Sequence, residues 1–215
     1  MSDDMFDFGD GMGPVPARRH VNGGGWVADT ADVAESCYLG SNAWVYGNAQ
    51  VYGNARVYGN AWVSGNAQVY GDARVSGNAQ VYGNAQVSGN AQVYGDAWVS
   101  GDARVSGNAR VYGDARVYGD ARVYGNAQVS GNAQVCLRRH VLAVGPIGSE
   151  NQTLTVANND TDDPHVTVGC WSGKLSELMA EVERRAPKYR DEYQAAYALA
   201  SLRATEWQQA EGNES

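Results

Sequence analysis

The residues of this 215-residue sequence best suited to acid–base or metal chemistry are its three histidines, His20, His140 and His165. Three histidines on one zinc ion would lower the pKa of a bound water to about 7. A single histidine beside a substrate could act as a general base in acyl transfer. His20 and His140 flank a long repetitive segment and are expected at its opposite ends. The spacing therefore predicts neither a zinc site nor a general base, and no cofactor.

The three cysteines are widely separated and form no metal-like motif. Cys37, Cys136 and Cys170 are isolated from one another, which is typical of thiols in a reducing compartment. Cys136 is predicted to face outward, yet the sequence indicates no adjacent His or Lys that would stabilise its thiolate. Cys37 is predicted to lie in the core and Cys170 in a packed loop. No nucleophile is predicted.

Four aspartates recur at 18-residue intervals, as the pairs Asp96 with Asp114 and Asp102 with Asp120. Stacked carboxylates could hold Ca²⁺ if carbonyl oxygens completed the ligand set. Three of the four are followed two positions later by an arginine, namely Arg104, Arg116 and Arg122. Local charge balance is the simpler interpretation, and we predict no metal site.

The elements that would position these residues come from a repeat of six. From Val45 to Gln134 the chain reads V-[YS]-G-[ND]-A-[QRW] in fifteen uninterrupted copies. The frame extends on both sides through Val21, Val27, Val33, Leu39, Val135, Val141 and Ile147. A period of six fits neither a helix nor hairpins with variable turns, and it indicates a coil built of short equal sides.

Each position of the repeat has a physical reason. β-Branched valine suits a short strand with its side chain inward, and alanine suits the narrow space beside the corner. Glycine followed by Asn or Asp supplies the positive φ of a turn at every side. The residues on either side of valine alternate to the outside.

This pattern resembles the hexapeptide-repeat family, whose members fold as left-handed parallel β-helices with three hexads in each triangular 18-residue coil. The resemblance implies an all-β solenoid of about seven coils over residues 21–147; the left hand is implied by the resemblance alone. Members of this family commonly assemble as parallel homotrimers. Its enzymatic branches, the acyltransferases and the gamma-type carbonic anhydrases, need histidines that the repeats here lack.

Tryptophans occupy a single column of the predicted coil. Trp26, Trp44, Trp62 and Trp98 are separated by 18, 18 and 36 residues. The neighbouring column carries Tyr46, Tyr82 and Tyr118. An exposed aromatic stripe of this height is expected to meet a partner. The first interpretation is a homotrimer interface; the alternatives are cover by the C-terminal region and a platform for sugar rings or bases.

Composition and periodicity also predict the organisation of the segments outside the repeat. Residues 1–20 are acidic and predict a flexible arm, either a disordered tail or a docking peptide that inserts Phe6 and Phe8 into a partner. The motif Arg-Arg-His-Val occurs at 18–21 and again at 138–141, which suggests charged caps at both ends.

Residues 148–211 predict a small ββαα extension. Alternation at 153–156 and 166–168 indicates a hairpin, and Ser172 is a plausible N-cap of a first helix. A second helix follows Pro187, and 212–215 form a tail. The residues expected to cap the solenoid or drive assembly are Trp171, Leu175, Leu178, Tyr189, Tyr193, Tyr197 and Trp207. Solenoids with such a tail resemble uncharacterised hexapeptide-repeat proteins of bacteriophages and prophages.

Charge and hydropathy narrow the classes of partner. The net charge of −8 is carried by the two ends, while residues 45–134 are near neutral. No basic patch with interleaved aromatics indicates nucleic-acid binding, and no continuous acidic face indicates mimicry of DNA. The sequence has no apolar run long enough for a membrane span and no signal-like start, so a cytoplasmic or virion-associated location is predicted.

The sequence as a whole predicts a non-catalytic trimeric scaffold that binds a protein partner, and its resemblances suggest a phage origin. One alternative is binding or sequestration of a nucleotide or sugar in the grooves between subunits. A second alternative is an acyltransferase-like enzyme.

Overall fold

The computed structural model describes residues 4–159, 161 and 163–211, so the predicted tail 212–215 lies outside the described residues. The centre of the chain is a parallel β-solenoid, as predicted. Each strand residue of the solenoid pairs with the residue 18 positions later, as Val45 does with Val63. Three hexads therefore make one turn, and the turns stack into three flat faces.

The three faces are named in chain order. The tryptophan face comprises Trp26–Ala28, Trp44–Val45, Trp62–Val63, Gln80–Val81, Trp98–Val99, Arg116–Val117 and Gln134–Val135. The second face comprises Asp32–Val33, Gln50–Val51, Gln68–Val69, Gln86–Val87, Arg104–Val105 and Arg122–Val123. The third face comprises Tyr38–Leu39, Arg56–Val57, Arg74–Val75, Gln92–Val93, Arg110–Val111 and Gln128–Val129.

The core of the solenoid is a column of valine and alanine. Every Val and Ala of the repeats from Ala43 to Val135 is at most 1% exposed. Cys37 is also fully buried in this core, as predicted. Two small side chains per hexad fill the narrow prism because short strands bring the three faces close together.

The corners are built by glycine and by ladders of asparagine. The corner glycines from Gly47 to Gly131 have φ between 59° and 75°, a conformation that favours glycine. A Cβ on Gly77 would lie 2.9 Å from the backbone nitrogen of Gly95 in the next turn. Asn78 receives a 3.1 Å hydrogen bond from Asn60 and donates a 2.8 Å bond to Asp96. Successive turns therefore stack through both backbone and side chains.

The solenoid is shorter than the predicted 21–147, with six complete turns and one further strand between Trp26 and Val135. Val21 lies in a turn and is 77% exposed. Val141 and Ile147 belong to one antiparallel strand instead of two solenoid sides. The reason lies in residues 136–140, where Cys-Leu-Arg-Arg-His replaces the corner-forming glycine and asparagine.

The prediction of a flexible arm over residues 1–20 is wrong for the described part. Asp4–Phe6 and Val15–Arg19 form an antiparallel hairpin, and the second strand pairs antiparallel with Trp26–Ala28. The acidic loop is ordered locally, because the carboxylates of Asp7 and Asp10 accept hydrogen bonds from the backbone of Gly9 and Met12. The hairpin extends the tryptophan face to nine strands.

A separate module follows the solenoid. Its antiparallel sheet consists of Val141–Ile147, Gln152–Ala157, His165–Val168 and Trp171–Lys174, followed by 3₁₀ turns at Leu175–Glu177 and Pro187–Tyr189 and helices at Leu178–Arg185 and Arg190–Glu211. The predicted hairpin and second helix are confirmed. Ser172 is not an N-cap: it lies in a strand paired with His165–Val168, so the first helix begins only at Leu178.

The C-terminal module packs on the last turn of the solenoid. The backbone nitrogen of Gln134 donates a 2.7 Å hydrogen bond to the Asn158 carbonyl. The backbone nitrogen of Gln128 donates a 2.9 Å bond to Oγ1 of Thr155. These bonds satisfy the open strand edge that would otherwise pair with another chain. The expectation that the tail packs on the last coils is therefore met within one chain.

Neither helix among the described residues is long and apolar enough to cross a membrane.

Candidate functional site

The four tryptophans lie in one column, as their spacing predicts. Trp26 pairs with Trp44 and Trp44 with Trp62 in parallel register, and Trp98 follows two turns further on beside Gln80. Their side chains are half-buried. The tyrosines of the neighbouring column lie against them: the rings of Trp62 and Tyr82 stack with centroids 5.6 Å apart.

The first half of this column is covered by the chain's own N terminus. Phe6 stacks on Trp26 at 4.4 Å, and Phe8 stacks on Tyr46 at 4.9 Å. Both phenylalanine rings also contact Trp44 edge-on. Sequence reasoning expected these phenylalanines either in a disordered tail or in a partner. Their spacing of two residues, which places both on one face of an extended chain, was the available signal.

Among the described residues, Phe6 and Phe8 of the hairpin contact only the first half of the column. We call the second half the upper aromatic surface: Tyr82, Trp98, Ser100, Arg116, Tyr118 and Gln134, which line a shallow cavity of about 300 Å³. The guanidinium of Arg116 lies 4.7 Å above the Trp98 ring, a cation–π contact. This surface presents aromatic rings, the positive charge of Arg116, and the polar side chains of Ser100 and Gln134.

The second face carries a different site, which we call the arginine notch: Tyr70, Gln86, Ser88, Arg104, Ser106, Arg122 and Tyr124, around a cavity of about 270 Å³. Arg104 and Arg122 are register partners in adjacent turns. Ser88 and Ser106 form the neighbouring column, with Tyr70 one turn before and Tyr124 one turn after. The notch exists because two successive turns carry serine where the turns on either side carry tyrosine.

The corner aspartates and the arginines that balance them in sequence do not form ion pairs. Within the described part of the chain, no carboxylate lies within 4.0 Å of Arg104, Arg116 or Arg122. The aspartates take part in the corner ladders instead, as when Asn84 donates a 3.0 Å hydrogen bond to Asp102. Arginine side chains extend across the flat faces, so the two charges of a hexad diverge.

A cysteine and a histidine meet at the end of the solenoid, which the sequence reasoning missed. Cys136 Sγ lies 3.5 Å from Nδ1 of His140. The side-chain nitrogen Nδ2 of Asn158 lies 3.4 Å from the same ring nitrogen. A Cys-His-Asn relay needs the cysteine and the asparagine on opposite ring nitrogens. His140 is also fully buried. The spacing of four residues was the only signal, and the geometry does not suit acyl transfer.

The other two histidines have structural contacts. His165 Nε2 lies 3.1 Å from the buried Ser130 hydroxyl, and burial lowers the pKa of this histidine. His20 contacts the carbonyl oxygens of Asn22 and Ala34. Among the residues that the structure describes, no three His, Cys, Asp or Glu side chains are grouped to hold a metal ion.

The residues predicted for C-terminal assembly pack mainly inside the module. Leu175, Leu178, Tyr193 and Trp207 are at most 6% exposed, and Trp171, Tyr189 and Tyr197 pack around them half-buried. They therefore form the module's own core. The helix exposes Leu199 and Leu202 instead, at 42% and 63%.

The repeats of the solenoid match a known family model, described as the YdcK Beta solenoid repeat, at residues 49–65, 67–83, 79–95, 85–101, 91–105, 103–119 and 115–131. Each match spans 15 to 17 residues, close to the 18-residue turn of the structure, and the starts of successive matches differ by multiples of six. No curated protein is significantly similar to the chain in sequence.

Proposed function

We propose that this β-solenoid repeat protein is a non-catalytic scaffold that assembles as a homotrimer through its upper aromatic surface and binds a protein partner. The observation that carries the proposal is the division of the aromatic column. Its first half is covered by Phe6 and Phe8, whereas Tyr82, Trp98 and Tyr118 continue it without cover from the hairpin.

The contacts in the first half of the aromatic column indicate what the second half can bind. Phe6, at the end of the first strand, stacks on Trp26 at 4.4 Å, and Phe8, just after that strand, stacks on Tyr46 at 4.9 Å. Aromatic pairs of this kind contribute about 0.5–1.5 kcal/mol beyond the area they bury. The upper aromatic surface continues the same two columns with Trp98, Tyr82 and Tyr118, so it suits apolar or aromatic groups from a neighbouring protein chain.

The rigidity of the prism suits a scaffold. Each strand of the middle turns is hydrogen-bonded to the turn before and the turn after. The valine and alanine core contains no polar side chain that could reorganise. A surface held this firmly loses little conformational entropy when it binds.

The proposal assigns no catalytic residue. In the nearest approach to a nucleophile and base, Cys136 with His140, the cysteine and the Asn158 side chain lie beside the same ring nitrogen. A cytoplasmic or virion-associated location and a phage origin stay predictions.

The oligomeric state of the purified protein tests the proposal. The variant Y82S/W98Q/Y118S uses only residue types that the same columns already contain, as at Ser64, Ser100 and Gln80. The matched control Y94S/Y112S removes the stacked tyrosine pair of the third face. Native mass spectrometry and light scattering should show trimers for the parent and the control, and monomers for the triple variant. A monomeric parent, or a triple variant that stays trimeric, would refute this role.

A further inference from the structure

We propose that the arginine notch on the second face binds a small dianion, specifically the phosphate group of a ring-bearing phosphate monoester. This inference is independent of the scaffold proposal, because it concerns a different face and different residues.

The shape of the notch follows from an interruption in a column of tyrosines. The outward column of the second face reads Tyr52, Tyr70, Ser88, Ser106 and Tyr124 in successive turns. Tyr52 and Tyr70 stack in parallel with centroids 4.9 Å apart. Two serines in place of tyrosines leave a recess two turns high, with an aromatic ring at each end. The recess has room for a phosphate and a small ring.

The charge within the recess is uncompensated by the described side chains. Arg104 and Arg122 lie in adjacent paired strands, whose backbones are about 4.8 Å apart. No carboxylate of the described residues lies within 4.0 Å of either guanidinium. Nε of Arg122 is buried and has no hydrogen-bond partner among them. Two stacked cations with a buried donor favour an anion that accepts from both.

The donors present match the oxygens of a phosphate. Guanidinium groups donate pairs of parallel hydrogen bonds to phosphate oxygens. The hydroxyls of Ser88 and Ser106 and the amide of Gln86 line the same recess and can donate to the remaining oxygens. A dianion balances two arginines, whereas a monoanion leaves one charge uncompensated. The Tyr70 and Tyr124 rings flank the recess and suit a ring attached to the phosphate.

A second pair of stacked arginines in the same chain provides an internal comparison. Arg56 and Arg74 are register partners on the third face. Arg56 lies 5.3 Å from the Tyr38 ring, and the outward column beside the pair reads Tyr58, Ser76 and Tyr94, with a single serine. That face therefore has stacked arginines without the two-turn recess, and the pair serves as a control for nonspecific attraction of anions.

Isothermal titration calorimetry with phenyl phosphate and with inorganic phosphate, on the full chain at low ionic strength, tests the proposal. The variant R104Q/R122Q removes the charges with the residue that the same column carries at Gln50, Gln68 and Gln86. The variant S106Y fills the recess with the residue found at Tyr52 and Tyr70. The control is R56Q/R74Q. Because all substitutions are native to their columns, each variant should keep the circular dichroism and thermal midpoint of the parent.

Saturable binding of phenyl phosphate by the parent is expected, with a loss of at least about tenfold in affinity for R104Q/R122Q and for S106Y. The control R56Q/R74Q should bind within about twofold of the parent. Tighter binding of phenyl phosphate than of inorganic phosphate supports the monoester, and equal affinities would assign the site to free phosphate and overturn the ring assignment. A parent that binds neither probe, or an equal loss in the control, would overturn the site altogether.

Discussion

Phe6 lies nearly parallel to Trp26, with ring centroids 4.4 Å apart and an angle of 21° between the planes. This contact joins the non-repetitive N terminus to the first turn of the solenoid. The guanidinium of Arg19, on the second strand of the hairpin, lies 4.1 Å from the centroid of the same indole. The hairpin is therefore an integral part of the tryptophan face.

Replacing Phe8 with alanine should open the N-terminal hairpin and leave the solenoid folded. Phe8 is 4% exposed and packs with Ala17 and Ala28, so its removal should destabilise the hairpin by about 3 kcal/mol. Hydrogen exchange should then rise over residues 4–19 alone. The control is M12A, because Met12 is 80% exposed. Unchanged exchange in the Phe8 variant would contradict this role of the ring.

Two glycine substitutions should separate backbone strain from crowding between turns. Gly77 and Gly125 have φ of 72° and 67°, so alanine at either position costs about 1–2 kcal/mol. A Cβ on Gly77 would also lie 2.9 Å from Gly95, whereas a Cβ on Gly125 has nothing within 4 Å. G77A should therefore lower the thermal unfolding midpoint clearly more than G125A. Equal shifts would show that the turns can move apart at little cost.

The three cysteines should differ strongly in their rates of alkylation. Cys37 is fully buried, and burial raises the pKa of its thiol, so little thiolate is exposed to reagent. Cys170 is exposed and Cys136 is intermediate. Iodoacetamide at pH 8 followed by peptide mass spectrometry should label Cys170 first and Cys37 only after unfolding. Labelling of Cys37 as fast as Cys170 would mean that the first turns open readily.

The contact between the C-terminal module and the solenoid should weaken in acid. Burial lowers the pKa of His165 below its ordinary value of about 6.5, so the native state favours the neutral ring. The stability that this histidine contributes is present above about pH 6.5 and is lost as the pH falls towards its lower native pKa. Hydrogen exchange of residues 165–168, corrected for the intrinsic effect of pH, should be faster at pH 5.5 than at pH 7.5.

The variant H165Q provides the control, because glutamine can still bond to Ser130 but does not titrate in this range. Its exchange, corrected for the intrinsic effect of pH, should be the same at both values. If the parent and the variant respond alike, another group must be responsible for the change.

The centre of the fold could be predicted because every turn repeats one solution. A valine and an alanine every six residues predict the core, and glycine at one phase predicts the corners. The alignment of Trp44 and Trp62 follows from the same 18-residue turn. Periodicity carries this information directly, since the place in the hexad specifies whether a side chain points inward, outward or to a corner, and the place in the 18-residue turn specifies its face.

The ends could not be predicted in the same way, since their contacts join repetitive and non-repetitive segments. The acidic composition around Phe8 indicated disorder, although the aromatic column it covers gives the ring a partner. Trp171–Lys174 adds a strand that its short, glycine-containing sequence does not indicate. Asp102 and Arg104 balance each other in charge but form no ion pair, because closeness in sequence does not give closeness across a corner.

The 18-residue register has a consequence for how such a chain can change its length. An in-frame gain or loss of 54 nucleotides adds or removes one whole turn, shifts the C-terminal module along the axis by about 4.8 Å and leaves every column aligned. A change of 18 nucleotides removes a single side and turns the module by about a third of a revolution onto a different face. Genetic variation in steps of three hexads therefore keeps the columns aligned, whereas loss of one hexad between Trp44 and Trp62 would place the two tryptophans on different faces.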